Sequence, residues 1–308
     1  LGEPGGAVAS WRAVMALAAQ AESIPVALKE RIDHARNYVA GQVAAFDMHL
    51  EAALEPARDG LSGSERRRFN ACVDVMLGKR QIFANECHGV HFPFLPADEY
   101  FDRAHFPWLG ALEARTDVIR EELRALVDSG HEGFRPYVSQ DSGTPENKWT
   151  PLDKSLDWSA LFLWEYGVRN DDACGRCPQT AAALAAVPQS HIPSRAPTAF
   201  FSLLKPHSHI PPHTGVTNLR TIIHLPLIVP EGCRFRVGGE TRPWREGEAF
   251  AFDDTIDHEA WNDSDDLRAV LIFDVWNPYL TEAERRLMCL LFEVSDASVL
   301  NPAGGKAG

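Results

Sequence analysis

The sequence predicts an α+β protein in which an α-helical N-terminal region precedes a double-stranded β-helix, a cupin-like jelly roll. The first 85 residues are rich in Ala, Leu, Glu, Gln and Arg, with apolar residues at helical spacing. From about residue 158, short apolar runs recur at intervals of roughly 8–12 residues between turn residues, which is typical of a sandwich or barrel. We therefore divide the chain into a helical region, 1–85, and a jelly-roll domain, 86–308.

The first part of the chain contains the predicted helices. Residues Trp11–Ala53 have the helical pattern, which Pro25 interrupts early. A further helix is predicted from Ser64, as its cap, to about Leu77. The aromatic and Pro-rich residues 86–110 predict a loop, and Leu112–Val127 an amphipathic helix.

The second part of the chain is predicted to be mainly strands. Runs rich in β-branched and aromatic residues occur at Trp158–Tyr166, Ala199–Leu204, Leu219–Leu227, Cys233–Val237, Glu240–Trp244, Ala249–Phe252, Glu259–Trp261 and Ala269–Trp276. A helix over Pro178–Val187 has Pro in its first turn, where the missing N–H costs nothing. Another starts near Thr281, which has capping-box spacing to Glu284.

Charge and composition exclude several classes of partner. The net charge of −13 and pI of about 5.4 argue against nucleic acid and anionic membranes. No apolar run reaches the roughly 18 residues of a transmembrane helix, and the N-terminus lacks the regions of a signal peptide. The six scattered cysteines favour a reducing, cytoplasmic location. The pair Cys174 and Cys177 could be half a zinc site, a redox pair or a local disulfide.

Two histidines and an arginine have the pattern of a mononuclear iron site. His213 lies between two predicted strands, His258 follows at a strand edge about 45 residues later, and Arg268 opens the next strand. Imidazole suits Fe(II), and an oxygenase needs open positions on its metal. A guanidinium on an apolar strand can grip a carboxylate in bidentate fashion, and Ser202, a hydroxyl in an apolar run, could donate to the same group.

The usual carboxylate ligand is missing from this pattern. In many such sites it lies two residues after the first histidine, where this chain has Gly215. We therefore expect two protein ligands, with water in the third position. Asp254 and Asp257 could bind the metal directly, but we favour a role beside it, orienting that water or His258.

Further polar residues accompany the histidine pair. Arg220 and His224 are four residues apart, so on a strand they share a face. One could bind the second carboxylate of a diacid and the other the substrate. His207 and His209 are tempting additional ligands, but we interpret them as loop residues near the mouth of the site.

The chain resembles the aspartyl/asparaginyl β-hydroxylase family, which consists of Fe(II)- and 2-oxoglutarate-dependent dioxygenases. The resemblance covers residues 157–290 well and the earlier part poorly. Its main segments are Asp157-Trp158-Ser159, Leu163-Trp164, Phe201-Ser-Leu-Leu-Lys-Pro206, Pro212-His-Thr-Gly-Val-Thr-Asn-Leu-Arg220, Glu240-Thr-Arg-Pro-Trp244, Phe252-Asp-Asp-Thr255, His258-Glu259, Arg268 and Asp274-Val-Trp276-Asn-Pro278.

The resemblance implies roles for the site residues. His213 and His258 would bind iron, while Arg268 and Ser202 would hold the distal carboxylate of 2-oxoglutarate, with His224 near its other end. The absence of a triad carboxylate is expected in this family. Members that act on acidic residues in proteins carry a second Arg two positions after Arg220, a place that Ile222 takes here.

The resulting hypothesis is hydroxylation of an unactivated C–H bond with release of succinate and CO2. The expected bond lies at the β-carbon of an aspartyl, asparaginyl or related residue, and O2 is the oxidant. The substrate would be a peptide, a protein or an amino-acid derivative. Two alternatives stay open: a non-catalytic metal-binding jelly-roll module, and a halogenase with a halide in the position that Gly215 leaves vacant.

Overall fold

The computed structural model describes residues 4–21 and 23–298, and the contacts within it divide the chain into two units at Gln81 and Ile82. The N-terminal unit has three helices: α1 (Pro4–Ala19), α2 (Val26–Arg58) and α3 (Gly63–Met76). The cap of α3 is Ser62, not Ser64 as the sequence suggested. Ser62 lies three residues before Glu65, so side chain and backbone bond reciprocally in a capping box.

The second unit contains two antiparallel sheets. The larger is formed by β1 (Arg135–Pro136), β2 (Trp158–Glu165), β3 (Val168–Arg169), β4 (Ala199–Leu204), β6 (Arg220–Ile228), β9 (Phe250–Phe252) and β11 (Arg268–Trp276). Its order is β1-β2-β4-β11-β6-β9, with β3 paired to β2. The smaller sheet, in the order β5-β10-β7-β8, is formed by β5 (Ser208–His213), β7 (Cys233–Val237), β8 (Glu240–Pro243) and β10 (His258–Asn262).

Helices accompany the sheets of the second unit. They are α4 (Leu109–Glu113), α5 (Thr116–Asp128), α6 (Asp171–Arg176), α7 (Pro178–Ala185) and α8 (Glu282–Ala297), with 3₁₀ turns at Arg103–His105 and Thr150–Leu152. The single helix predicted over Leu112–Val127 is wrong at its start: it breaks at Ala114 and Arg115, where the Thr116 hydroxyl donates to the Glu113 carbonyl. No helix in the described ranges has the length and apolarity needed to cross a bilayer.

Strand β5 was not predicted as a strand because it contains Pro211 and Pro212. It lies at the edge of the smaller sheet, where proline is tolerated, and its pairing with β10 shifts register between His258 and Ala260. His209 therefore lies on a strand and not in a loop. The position of β5 brings His213 directly opposite His258.

Alternation along the strands separates two cores. On β4, Phe201 and Leu203 join a cluster with residues of α5 and α7, on the outer face of the larger sheet. Phe200 belongs to the other cluster, which combines residues of both sheets, including Phe235 of β7 and Ile272 of β11. Because successive strand residues point to opposite faces, Ser202 shares the side of Phe200. The polar residues discussed next lie on this inner side.

Candidate active site

The two predicted metal-binding histidines lie together. His213 ends β5 and His258 begins β10, and their ring centroids are 4.0 Å apart. In the described ranges, no group of three or more His, Cys, Asp or Glu side chains is arranged to hold a metal ion. The site offers a pair of imidazoles.

Backbone carbonyls fix the orientation of both imidazoles. The Nδ1 atom of His213 lies 2.8 Å from the carbonyl oxygen of Pro211, and that of His258 lies 3.0 Å from the carbonyl oxygen of Ile256. Because a carbonyl oxygen only accepts, each Nδ1 carries the proton and each Nε2 keeps a lone pair. Burial lowers the pKa of His213 to about 4 and that of His258 well below its usual value. Both rings are therefore neutral at pH 7, the form that binds a metal.

The carboxylate of Asp254 occupies the space beside Gly215. A Cβ atom at Gly215 would lie 2.1 Å from Asp254 Oδ2, so residue 215 has no room for a side chain. Asp254 Oδ1 is buried without a hydrogen-bond partner, and burial raises the pKa of this carboxyl group to about 7. The carboxylate of Asp254 therefore takes the space that a side chain at residue 215 would fill.

Arg268 is a buried cation without a counter-charge. It is 1% exposed, forms no ion pair with any described residue, and its Nε has no hydrogen-bond partner. Its Nη1 donates to Ser202 Oγ at 3.3 Å, and its guanidinium lies 4.7 Å from the ring centre of Trp244. Burial lowers the pKa of Arg268 to about 10, so it stays charged at pH 7. A buried guanidinium without a counter-charge is suited to binding an anion.

His224 lies inside an aromatic cage. Its ring is stacked on Trp244 and meets Phe235, Phe250 and Phe252, and its Nδ1 has no hydrogen-bond partner. Burial lowers its pKa well below the usual value, with the charge of Arg268 as a second cause. His224 is therefore a neutral polar group near Arg268.

The two other predicted site residues, Arg220 and Asp257, lie in different surroundings. Arg220 lines the same cavity, but its Nη1 donates to Asp274 Oδ2 at 2.7 Å, so its charge is already compensated. Asp274 also accepts from Ser190 and from the backbone N–H of Thr198. Asp257 does not line the cavity. Instead, it forms an ion pair with Arg236. Its surroundings therefore differ from those of Asp254, which lines the cavity.

The additional histidines lie away from the pair. His207 is exposed and contacts Asp265 at 3.0 Å, while His209 contacts Glu259 at 2.9 Å and is stacked on Trp261. Neither lines the cavity.

One cavity of about 800 Å³ unites the site. His213, His258, Asp254, Arg268, Ser202, His224 and Arg220 all contribute to its wall. No sequence pattern pointed to Tyr137 and Trp149, which belong to the wall although they come from short elements between helices and strands. Tyr137 is stacked on Trp158 at 4.0 Å, and Trp149 meets the ring of His213 edge-on at 5.2 Å.

A strap formed by residues 85–92 connects the two loops of the site. The side chain of Asn85 donates to Asp253 at 2.7 Å and Thr255 at 2.9 Å, and the backbone of Glu86 donates to the Thr255 carbonyl. The backbone N–H of His88 then donates to the carbonyl of Gly215. The strap thus ties the loop of Asp254 to the loop that follows His213.

Residues 113–278, more than half of the chain, match the family described as Aspartyl/Asparaginyl beta-hydroxylase. The chain belongs to this family, and with it to a group of hydroxylases.

Among individual relatives, the chain is 38% identical over 177 residues to aspartyl/asparaginyl beta-hydroxylase of Homo sapiens, covering 57% of this chain and 22% of that protein. It is 34% identical over 187 residues to ornithine lipid ester-linked acyl 2-hydroxylase of Rhizobium tropici, covering 59% and 62%. It is 31% identical over 204 residues to human aspartate beta-hydroxylase domain-containing protein 2, covering 65% and 53%. In each case the chain spans less than two thirds of the relative's length.

Similar solved structures include the plu4264 protein of Photorhabdus luminescens, at 10% identity, a TM-score of 0.26, and coverage of 50% of this chain and 99% of that chain. Another is the Cnp3 cupin domain of Schizosaccharomyces pombe, at 11% identity, a TM-score of 0.25, and coverage of 30% and 64%. Likenesses of this size carry no argument about the site.

Proposed function

We propose that this protein is an Fe(II)- and 2-oxoglutarate-dependent dioxygenase that hydroxylates an unactivated C–H bond of an amino-acid residue. The observation that carries this proposal is the pairing of two neutral imidazoles with an uncompensated buried arginine in one cavity. We also propose that the two antiparallel sheets form the double-stranded β-helix expected from the sequence, and that the protein acts in the cytoplasm.

The donor set fits a ferrous ion. Both Nε2 atoms are free of hydrogen bonds to described residues, and their rings are held by carbonyl oxygens that leave the lone pairs unprotonated. His213 and His258 would bind the metal, and the remaining positions would be open to co-substrate and water. Asp254 would lie beside the metal, where its unpartnered Oδ1 can accept a hydrogen bond from a water molecule.

The other end of the cavity fits 2-oxoglutarate. Arg268 would grip the distal carboxylate, and Ser202, which already accepts from Trp158 and Arg268, would donate its hydroxyl proton to the same group. His224, whose Nδ1 has no partner, would donate or accept a hydrogen bond near the co-substrate. Since the cation is already buried, the anion would remove the cost of leaving it uncompensated.

The bound metal and co-substrate supply the oxidation: a C–H group, O2 and 2-oxoglutarate become C–OH, succinate and CO2. One oxygen atom enters the substrate and the other enters succinate. The protein holds the co-substrate, orients the substrate bond and excludes water. Tyr137, Trp149 and Trp158 form an aromatic wall beside His213 that serves this exclusion.

An anaerobic absorption experiment tests the proposal. Fe(II) and 2-oxoglutarate are added to the metal-free protein, and the visible charge-transfer band that forms when 2-oxoglutarate chelates Fe(II) is recorded. We expect the band in the wild type, its loss in His258→Ala because a metal ligand is removed, and a much weaker band in Arg268→Ala because co-substrate affinity falls.

His207→Ala is the matched control, because this exposed histidine does not line the cavity. It is expected to keep the full band. If the wild type binds iron but gives no band, the protein is a metal-binding module and the dioxygenase proposal is wrong. An equal band in all four proteins would show that iron binds elsewhere.

A further inference from the structure

The side chains on the inner face of the larger sheet differ in polarity from one row to the next along the strands. At one end lie Ser202 and Arg268, two of the polar groups assigned above to the co-substrate. The strand register places Ile272, Phe200 and Phe162 in the following row, beside His224, since Ile272 pairs with both Phe200 and His224, and Phe200 pairs with Phe162. Phe162, Phe200, Ile222 and Ile272 all line the cavity, and we call these four residues the apolar band.

A charged rim begins level with Ile222, in the last row of the apolar band. Asp274 pairs with Ile222 across β11 and β6, and it holds Arg220 at 2.7 Å. On β2, which β4 separates from β11, Glu165 forms an ion pair with Arg135 of β1. The rim therefore consists of two ion pairs, and neither cation in it is left uncompensated.

The charge balance disfavours an acidic substrate. Asp254 also lines this part of the cavity; burial raises the pKa of its carboxyl group, while the charge of Arg220 lowers it and that of Asp274 raises it further. An incoming carboxylate would meet Asp254, Asp274 and Glu165, while Arg220 and Arg135 are each already paired with an acid. Desolvating that carboxylate costs free energy that no available group returns.

The apolar band lies close to the metal-binding histidines. Phe200 contacts Tyr137, with ring centroids 5.4 Å apart, Tyr137 is stacked on Trp158 at 4.0 Å, and Trp158 lies 6.3 Å from His213. This continuous aromatic contact makes the band the wall against which the reacting carbon rests. An apolar group would be stabilised there by removal of its surface from water.

The depth of the band limits the size of that group. Side chains on one face of a strand repeat about every 7 Å, and the band spans only two rows, that of Ile272 and that of Ile222, so it accommodates roughly one side chain. A long acyl chain would continue into the ion pairs of the rim. The rim suits peptide groups instead, because Arg220 has N–H groups that do not bond described residues, and Tyr137 lines the same cavity.

We infer that the substrate is a peptide residue with an aliphatic or aromatic side chain, which lies against the apolar band while its amide groups meet the rim. This inference rests on the proposed function, with the same conversion of C–H, O2 and 2-oxoglutarate into C–OH, succinate and CO2. Ile222 and Phe200 are the residues that set this specificity.

Short capped peptides that differ only in the central residue test the inference. The central residues are Leu, Ile, Phe, Asn and Asp, and a lauroyl ester represents a lipid acyl chain. Binding is measured through the intrinsic tryptophan fluorescence of the full chain, to which Trp149 and Trp158 in the cavity wall contribute, and hydroxylation by the mass of the recovered peptide. We expect an apolar peptide to bind and react at least about tenfold better than the Asp peptide.

Two variants of one position sharpen the comparison. Ile222→Arg adds a cation to the apolar band, and we expect it to shift the preference toward the Asp peptide by about tenfold or more. Ile222→Leu keeps the volume and should keep the wild-type preference. Phe200→Lys provides an independent cation in the same band if Ile222→Arg does not fold.

The outcomes separate the two proposals. If the charge-transfer band of the proposed function is absent, the function itself fails. If that band is present but the Asp peptide is preferred, the lauroyl ester is preferred, or no apolar peptide binds, the substrate inference is overturned. An unchanged preference in both cation variants would also overturn the role of the apolar band.

Discussion

At the scale of single residues, the site depends on a contact between two loops. Gly215 and Asp254 are close enough that the backbone N–H of Gly215 donates to the Asp254 carbonyl at 2.6 Å. The carboxylate then takes the volume that a side chain at 215 would need. The glycine is therefore required by packing, independently of how many ligands the metal has.

A double-mutant cycle tests this packing. Gly215→Ala is expected to lower the free energy of unfolding by about 1–3 kcal/mol, because the new methyl group overlaps the buried carboxylate. In an Asp254→Ala background the same change should cost much less. Urea unfolding of the four metal-free proteins gives the coupling, and an equal cost in both backgrounds would contradict the contact.

The raised pKa of Asp254 predicts a pH-dependent stability. Because the folded pKa of about 7 exceeds the value of 3.8 for an unperturbed group, folding favours the protonated acid. The associated stability is full below pH 4 and is lost as the pH rises through 7. Asp254→Asn, which stays neutral, should therefore be more stable than the wild type at pH 8, by about 1–3 kcal/mol.

The comparison is made on metal-free protein by urea unfolding at pH 5 and pH 8. The advantage of Asp254→Asn should shrink at pH 5, where the wild-type acid is largely protonated. An advantage that is the same at both pH values would show that the carboxyl group is not titrating in this range.

At the scale of elements, the strap of residues 85–92 holds the loops that carry Asp254 and follow His213. Asn85→Ala removes two hydrogen bonds to the turn at Asp253 and Thr255. We expect a loss of about 1–2 kcal/mol in stability together with weaker Fe(II) binding, since the turn leads directly to His258.

Asn170→Ala is the matched control for the strap. This asparagine also makes two side-chain hydrogen bonds, as the cap of α6, but it lies outside the cavity. It should lower stability to a similar extent without changing metal affinity. Equal metal affinity in both variants would show that the strap contributes to stability but not to metal binding.

The same scale shows what the sequence could predict. The strands β2, β4, β6 and β11 follow from apolar runs, and strand parity correctly gives Arg220 and His224 one face. The strap has no such periodicity, because its backbone bonds two loops and not a regular sheet. Contacts such as Asn85 with Asp253 span 168 residues, and no local pattern encodes them.

At the scale of the whole chain, every predicted site residue lies in the unit that begins at Ile82. A shortened chain starting at Ile82 is therefore expected to unfold cooperatively and to give the same Fe(II)–2-oxoglutarate band as the full chain. A chain starting at Cys87 lacks Asn85 and Glu86, so its band should be weaker.

Absorption and urea unfolding of both shortened chains check this expectation. Similar bands would show that the first residues of the strap contribute nothing to the site. Loss of folding in both chains would show that the second unit depends on the first. The boundary suggested by composition, after residue 85, falls inside the strap, because composition changes gradually while hydrogen bonds begin at a defined residue.

The edge strand β5 has a consequence for solution behaviour. An exposed sheet edge is a template on which another chain can add a strand, which is a common route to aggregation. Pro211 and Pro212 remove two N–H donors from this edge strand, and the register shift beside them distorts its ladder. The residues that lead into His213 thereby also protect the protein from edge-to-edge self-association at high concentration.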